Sequence, residues 1–228
     1  MKTRIILPDT DGISEAGAIL RAGGLVAFPT ETVYGLGANA LDATATRRIY
    51  EAKGRPSDNP MIVHVASIDM LNSVAWGVTD EQKALMSKLW PGPITFVLRK
   101  NTGVPEVTTG GLDTVAVRWP SRREAAEIIV AAGVPIAAPS ANLSGKPSPT
   151  TFEDVAEDMD GRIDAIVKGE RTAIGIESTV LDLTSEVPTI LRPGFITKSQ
   201  IEEAVDGEVR YDPSLFKKPG ADDFHPKS

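Results

Sequence analysis

The sequence predicts an α/β fold, a mixed parallel and antiparallel sheet with flanking helices. Three observations carry the prediction. Apolar runs of strand length alternate with helical patterns along most of the 228 residues, the order that builds a helix-covered sheet. Two of the runs, LVAF and MIVHV, are nearly continuous in apolar residues, as strands buried on both faces are. Near the end, STVLDLT and TILRP flank a short SEVP turn like a hairpin, so the sheet is not purely parallel.

The elements follow in order. RIILP reads as a first strand. Asp11 is placed to cap a helix through ISEAGAILRAG, ended by Gly23 and Gly24. After the strand LVAF comes PTETVYGLGANA, read as a loop. DATATRRIYEAKG is a helix with Asp42 as cap and Gly54 as stop. MIVHV is the next strand. SIDMLNSVA and TDEQKALMSKLW are helical, the second capped by Thr79 or Asp80 and stopped by Pro91. ITFVLRK and TVAVRWP are strands. SRREAAEIIVAAG is a helix ending at Gly133, and PIAAPSAN a strand running into a loop. TFEDVAEDM, AIVKG, the hairpin pair, KSQIEEAV and EVRY complete the series. Residues 1–211 thus form one domain, and from Asp212 the chain reads as a polar tail.

Composition narrows the function. With 41% hydrophobic and 24% charged residues the chain can bury a sizeable core. It has no cysteine, which excludes a disulfide framework and a thiolate metal site. No apolar run approaches the roughly 18 residues of a membrane helix, and the opening MKTRIILPDTDG is too short in its apolar part for a signal peptide. A cytoplasmic protein without membrane contact is expected. The net charge of −7 argues against a surface that grips nucleic acid throughout, while leaving room for a local basic pocket.

Four segments can carry chemistry, each beside a strand. FPTETVYGLG offers Thr30, Glu31, Thr32 and Tyr34 with Gly35 and Gly37; an ordinary strand-to-helix connection would read the same way. KGRPSDNP places Lys53 and Arg55 two apart, a point charge and a planar fork that suit one anion. Cations at a helix C-terminus are also favoured without any ligand. Ser57, Asp58 and Asn59 follow, and His64 lies in the next apolar run, where a hydrogen-bonded core histidine is the plainer reading. APSANLSGKPSPTT crowds Ser140, Asn142, Ser144 and Ser148 into one loop. IESTVLDLT and ILRPG place Ser178 and Arg192 at strand ends, and Arg118 closes TVAVRWP. Each arginine can clamp a phosphate or a carboxylate, or sit in a structural salt bridge.

Taken jointly and in this order, PTETVYGLG, KGRPSDNP with MIVHV, SANLSGKPSPT, STVLDLT and ILRPG closely resemble the YrdC-like family of threonylcarbamoyl-adenylate synthases, over roughly residues 10 to 210. The resemblance implies a twisted sheet around a large positive cavity. It implies a nucleotidyltransferase that makes threonylcarbamoyl-AMP and pyrophosphate from L-threonine, bicarbonate and ATP, with Mg²⁺ on the ATP phosphates, no dedicated metal site and no prosthetic group. The product then serves transfer proteins that modify an adenosine of tRNA. By the same resemblance Lys53, Arg55, Ser140 and Asn142 are catalytic. Arg55, Asn59, Thr114, Ser140, Ser148 and Arg192 bind ATP, and Thr32, His64, Arg118, Ala138 and Ser178 bind threonine. The tail KKPGADDFHPKS keeps Pro219, Gly220, His225 and Pro226 of a linker found in longer members, and is expected to fold over the cavity as a lid. The alternative functions are a non-catalytic RNA-binding module of the same fold, with weak RNA binding in either case, and a carbamoyl-adenylate enzyme for another acceptor. Scarce aromatics weigh against the first. The chain and cysteines that accompany the second are missing.

Overall fold

The computed structural model describes residues 2–54, 56 and 58–216. Arg55, Ser57 and the tail residues 217–228, with the lid expected of them, lie outside the described residues.

The order of elements is β1 (Arg4–Ile6), α1 (Thr10–Arg21), β2 (Val26–Pro29), β3 (Tyr34–Asn39), α2 (Ala43–Lys53), β4 (Ile62–His64), α3 (Ile68–Val74) and α4 (Asp80–Leu89). Then come β5 (Ile94–Arg99), α5 (Glu106–Thr109), β6 (Thr114–Arg118), α6 (Arg123–Ala132), β7 (Ile136–Ala137), α7 (Phe152–Met159) and β8 (Ala165–Val167). β9 (Thr179–Asp182), β10 (Thr189–Arg192), α8 (Lys198–Val205), β11 (Arg210–Tyr211) and a 3-10 turn at Pro213–Phe216 complete it.

Where the chain states both ends of a helix, the boundaries match the sequence reading. Asp42 accepts from the amides of Thr44 and Ala45 at the start of α2, and Gly54 ends it at φ 61°, in the left-handed region. Thr79 and Gln82 close a capping box on α4. α1 differs. Its cap is Asp9, whose carboxylate accepts the Gly12 amide at 2.8 Å, and Asp11 lies inside the first turn. The segment read as a long loop after β2 also differs. Only residues 30–33 turn; YGLGAN is strand β3, antiparallel to β2. Gly37 is a packing residue. A Cβ on Gly37 would lie 2.7 Å from the Phe28 ring and 2.9 Å from Ile136.

The strands form one mixed sheet in the order β1-β8-β2-β3-β7-β4-β6-β5-β9-β10-β11. α1 and α6 cover one face around Leu20, Phe28, Ile128, Ile129 and Ile136. A larger core on the other face gathers Leu36, Ile49, Val63, Phe96, Val117 and Leu181. Each fully buried aliphatic or aromatic side chain there stabilises the fold by about 1.5–3 kcal/mol.

Candidate active site

Three polar side chains lie side by side across the apolar sheet. Thr95 on β5, Arg118 on β6 and His64 on β4 are direct partners in register, so the pleat sends all three to one face. The next row, Phe96, Val117 and Val63, points into the large core instead. Thr95, Arg118 and His64 are all buried. A cleft of about 610 Å³, measured out to its open mouth, lies beside this row.

At its deep end the β2–β3 turn supplies the groups. Thr30 folds the turn by donating from its hydroxyl to the Val33 carbonyl at 2.6 Å. Arg118 donates through Nη1 to Thr32 Oγ1 at 2.9 Å, and its Nη2 lies 2.8 Å from Glu31 Oε1. The two side chains are only 5% and 10% exposed. Burial would raise the Glu31 pKa, but the Arg118 charge and backbone amides outweigh it and hold the carboxyl below its ordinary value. His64 is pushed down to about 3, first by burial and then by Arg118. It is therefore neutral near pH 7, with Nδ1 3.3 Å from the Ile62 carbonyl oxygen. Residues 169–177 cross over this turn. Tyr34 donates its hydroxyl to the Gly169 carbonyl at 2.9 Å, and the amides of Ile174 and Gly175 donate to the carbonyls of Glu31 and Thr32 at 3.0 Å.

At the open end stands Arg192, the last residue of β10. Nε and Nη2 donate to the Ser178 carbonyl at 3.1 and 3.0 Å, and Nη2 also reaches Ser178 Oγ at 3.2 Å. Nη1 pairs with Glu177. Ser148 donates to the other Glu177 oxygen at 3.0 Å. Ser178 Oγ lies 2.8 Å from Thr95 Oγ1, which links the two ends. Gly194 is required for this approach, since a Cβ there would meet the Thr179 amide at 2.4 Å.

The third wall is the loop after β7. Lys53, buried at the end of α2, donates from Nζ to the carbonyls of Ser140 and Asn142, the latter at 2.7 Å. The Asn142 amide donates to the carbonyls of Leu143 and Lys146 at 2.9 and 2.7 Å. Asp158 accepts from the Leu143 amide at 3.0 Å and from Lys146 at 2.5 Å. Lysine and asparagine here shape the loop that carries Ser140.

The structure thus brings Thr32, His64, Arg118, Ala138, Ser140, Ser178 and Arg192 onto one lining. Lys53 and Asn142 stand one layer behind it. Asn59, whose carbonyl accepts from the Tyr50 hydroxyl at 2.7 Å, is off the lining. So are Thr114, opposite Arg99 at the start of β6, and Ser148, which reaches it through Glu177. Arg55 lies outside the described residues. Sequence reasoning named Glu31 in its loop without a partner and did not name Glu177, although each sits next to a hydroxyl-bearing residue of a candidate loop.

The Sua5/YciO/YrdC family model, described as telomere recombination, matches residues 18–194. The chain belongs to this family. Among family members, the threonylcarbamoyl-AMP synthase of Pyrococcus abyssi is 54% identical over 203 residues, which are 89% of this chain and 59% of the relative. The threonylcarbamoyl-AMP synthase of Bacillus subtilis is also 54% identical, with the same shares covered. The chain therefore spans about three fifths of the length of these curated relatives. The crystal structure of P. abyssi Sua5 complexed with L-threonine superposes with a TM-score of 0.91 at 52% identity, covering 96% of this chain and 65% of that one. Escherichia coli YciO, at 26% identity, gives 0.76 and covers 88% of this chain and 98% of that one.

Among the described residues no cluster of His, Asp and Glu is placed to hold a metal ion, and no helix is long and apolar enough to cross a membrane.

Proposed function

We propose that this chain is a threonylcarbamoyl-AMP synthase, a nucleotidyltransferase that joins L-threonine, bicarbonate and ATP and releases pyrophosphate. The observation that carries the reading is the convergence of Thr32, His64, Arg118, Ala138 and Ser178 on one cleft, in a fold that superposes on a relative complexed with L-threonine. The threonylcarbamoyl-AMP synthases of P. abyssi and B. subtilis, each 54% identical, support it.

The chemistry asks for positioning more than for covalent catalysis. The threonine amine and bicarbonate give a carbamate and water. A carbamate oxygen then bonds to the α-phosphorus of ATP as the bond to the β-phosphate oxygen breaks and pyrophosphate leaves. Arg118, held by Glu31 and Thr32, faces the amino acid from the deep end. Neutral His64 beside it can hydrogen-bond without adding charge. Arg192 and Ser148 take the phosphates, with Arg55, Asn59 and Thr114 as further ATP contacts and Ser140 and Asn142 on the shared wall. Lys53 keeps that wall in place. Such prepositioning acts through proximity and fixed charge. Among the described residues the carboxylate on the cleft lining is that of Glu177, and it is already paired with Arg192. Mg²⁺ would accompany the ATP phosphates and would supply charge neutralisation there. Residues 1–211 are the catalytic domain, working in the cytoplasm and supplying a protein that passes the threonylcarbamoyl group to tRNA.

The test is pyrophosphate release from ATP and Mg²⁺ with threonine and bicarbonate omitted in turn. The reading requires that release depend on both and fall sharply in Lys53→Ala and Arg55→Ala proteins that remain folded. Release with neither substrate would mark a plain ATP pyrophosphohydrolase. Bound ATP without release would point to a binding module.

A further inference from the structure

The open end of the cleft contains an anion of its own. Glu177 lies in the irregular stretch just before β9 and reaches Arg192 with one carboxylate oxygen and Ser148 with the other. Those two side chains are the ones read above as phosphate contacts. We propose that Glu177 is a built-in competitor for the nucleotide, holding Arg192 and Ser148 until a phosphate group displaces it, and so setting how tightly the cleft takes phosphorylated ligands. The inference rests on the synthase reading, since it needs a phosphorylated ligand at this end.

Three features support an exchange rather than a fixed structural pair. The first is chemical equivalence. Carboxylate and phosphate oxygens are both anionic acceptors, and each fits the planar fork of an arginine. Both cannot share Arg192 without like-charge repulsion. The second is that the clamp survives the exchange. Arg192 donates three hydrogen bonds to Ser178, two to its carbonyl and one to its hydroxyl, so the guanidinium stays aimed when Glu177 leaves. The third is access. The Glu177 and Arg192 side chains are 36% and 39% exposed, and Glu177 has no place in a strand ladder. It can swing towards solvent without opening the core.

The experiment is calorimetric binding of four probes, ATP, pyrophosphate, adenosine and L-threonine, to the wild-type chain and to Glu177→Gln, with Mg²⁺ present. The amide keeps the size of the side chain and an acceptor for Ser148 but removes the charge. ATP and pyrophosphate are expected to bind about fivefold more tightly, the scale of one half-exposed ion pair. Adenosine and threonine are expected to bind as before. Unchanged or weaker ATP binding, in a variant with a wild-type melting temperature, overturns the proposal. So does an equal loss for ATP and threonine, which would mark Glu177 as structural. If Glu177→Gln does not fold, Glu177→Asp retains the charge on a shorter reach. It should tighten ATP less, and no tightening there is equally fatal. A wild-type chain that binds threonine but neither ATP nor pyrophosphate overturns the synthase reading together with this one. Intact wild-type ATP binding with an indifferent Glu177→Gln overturns this one alone.

Discussion

The two ends of the cleft use the same pair of residue types and put them to opposite ends. Arg118 lies in the floor with Glu31 behind it, 5% and 10% exposed; Arg118 also bonds Thr32 and stands close to a neutral histidine. Arg192 and Glu177 sit at the mouth, 39% and 36% exposed. Removing one charge from the buried pair strands the other away from water, whereas solvent takes over for the outer one. Burial, rather than the identity of the ions, decides which arginine is a fixed part of the fold and which is free to change partners.

That contrast can be broken by measurement. Glu31→Ala should lower unfolding free energy by about 3–5 kcal/mol, the usual consequence of orphaning a buried charge. Urea denaturation reads it, and a loss below 1 kcal/mol would mean water already reaches Arg118. The buried end should also respond to acid. Between His64's unfolded value of 6.5 and its folded value of about 3, the unfolded chain binds a proton that the folded chain refuses, so stability falls as pH falls. From pH 7 to pH 5 the His64 contribution amounts to about 2 kcal/mol. His64→Asn should flatten that part of the curve, and an unchanged slope would assign it to other groups. At the junction, Ser178→Ala leaves Thr95 Oγ1 without its hydroxyl partner, at about 1 kcal/mol. Double-mutant analysis with Thr95→Val should find the two changes non-additive. The smallest effect belongs to the mouth: Glu177→Ala should move stability by less than about 1 kcal/mol. A value matching Glu31→Ala would erase the distinction between the two ends.

Much of the fold is legible in local sequence because several elements announce themselves twice. α2 has an aspartate cap and a glycine stop, and α4 has Thr79 with Gln82 three residues later. β3 is not legible that way. YGLGAN is poor strand sequence on its own, and Gly37 is explained only by Phe28 and Ile136 arriving from elsewhere. The cap of α1 shows a smaller version of the same problem, with two aspartates two residues apart and only one bonding the Gly12 amide. In the site, the cationic and hydroxyl residues stand out in the sequence. Their carboxylate partners do not, because 31 meets 118 and 177 meets 192 only through the sheet order. The supporting position of Lys53 is hidden for the same reason, since its partners are carbonyls about ninety residues away.

The alignment of Thr95, Arg118 and His64 on three neighbouring strands has a consequence for how this gene can change. Side chains in a strand alternate by parity, so substitutions alter the floor of the cleft one residue at a time, but a single inserted or deleted codon in β4, β5 or β6 exchanges the polar row for Val63, Val117 or Phe96. The floor is thus tolerant of point drift in its neighbours and intolerant of any change in reading length within these strands, so their connections are where added or lost residues cost the floor least.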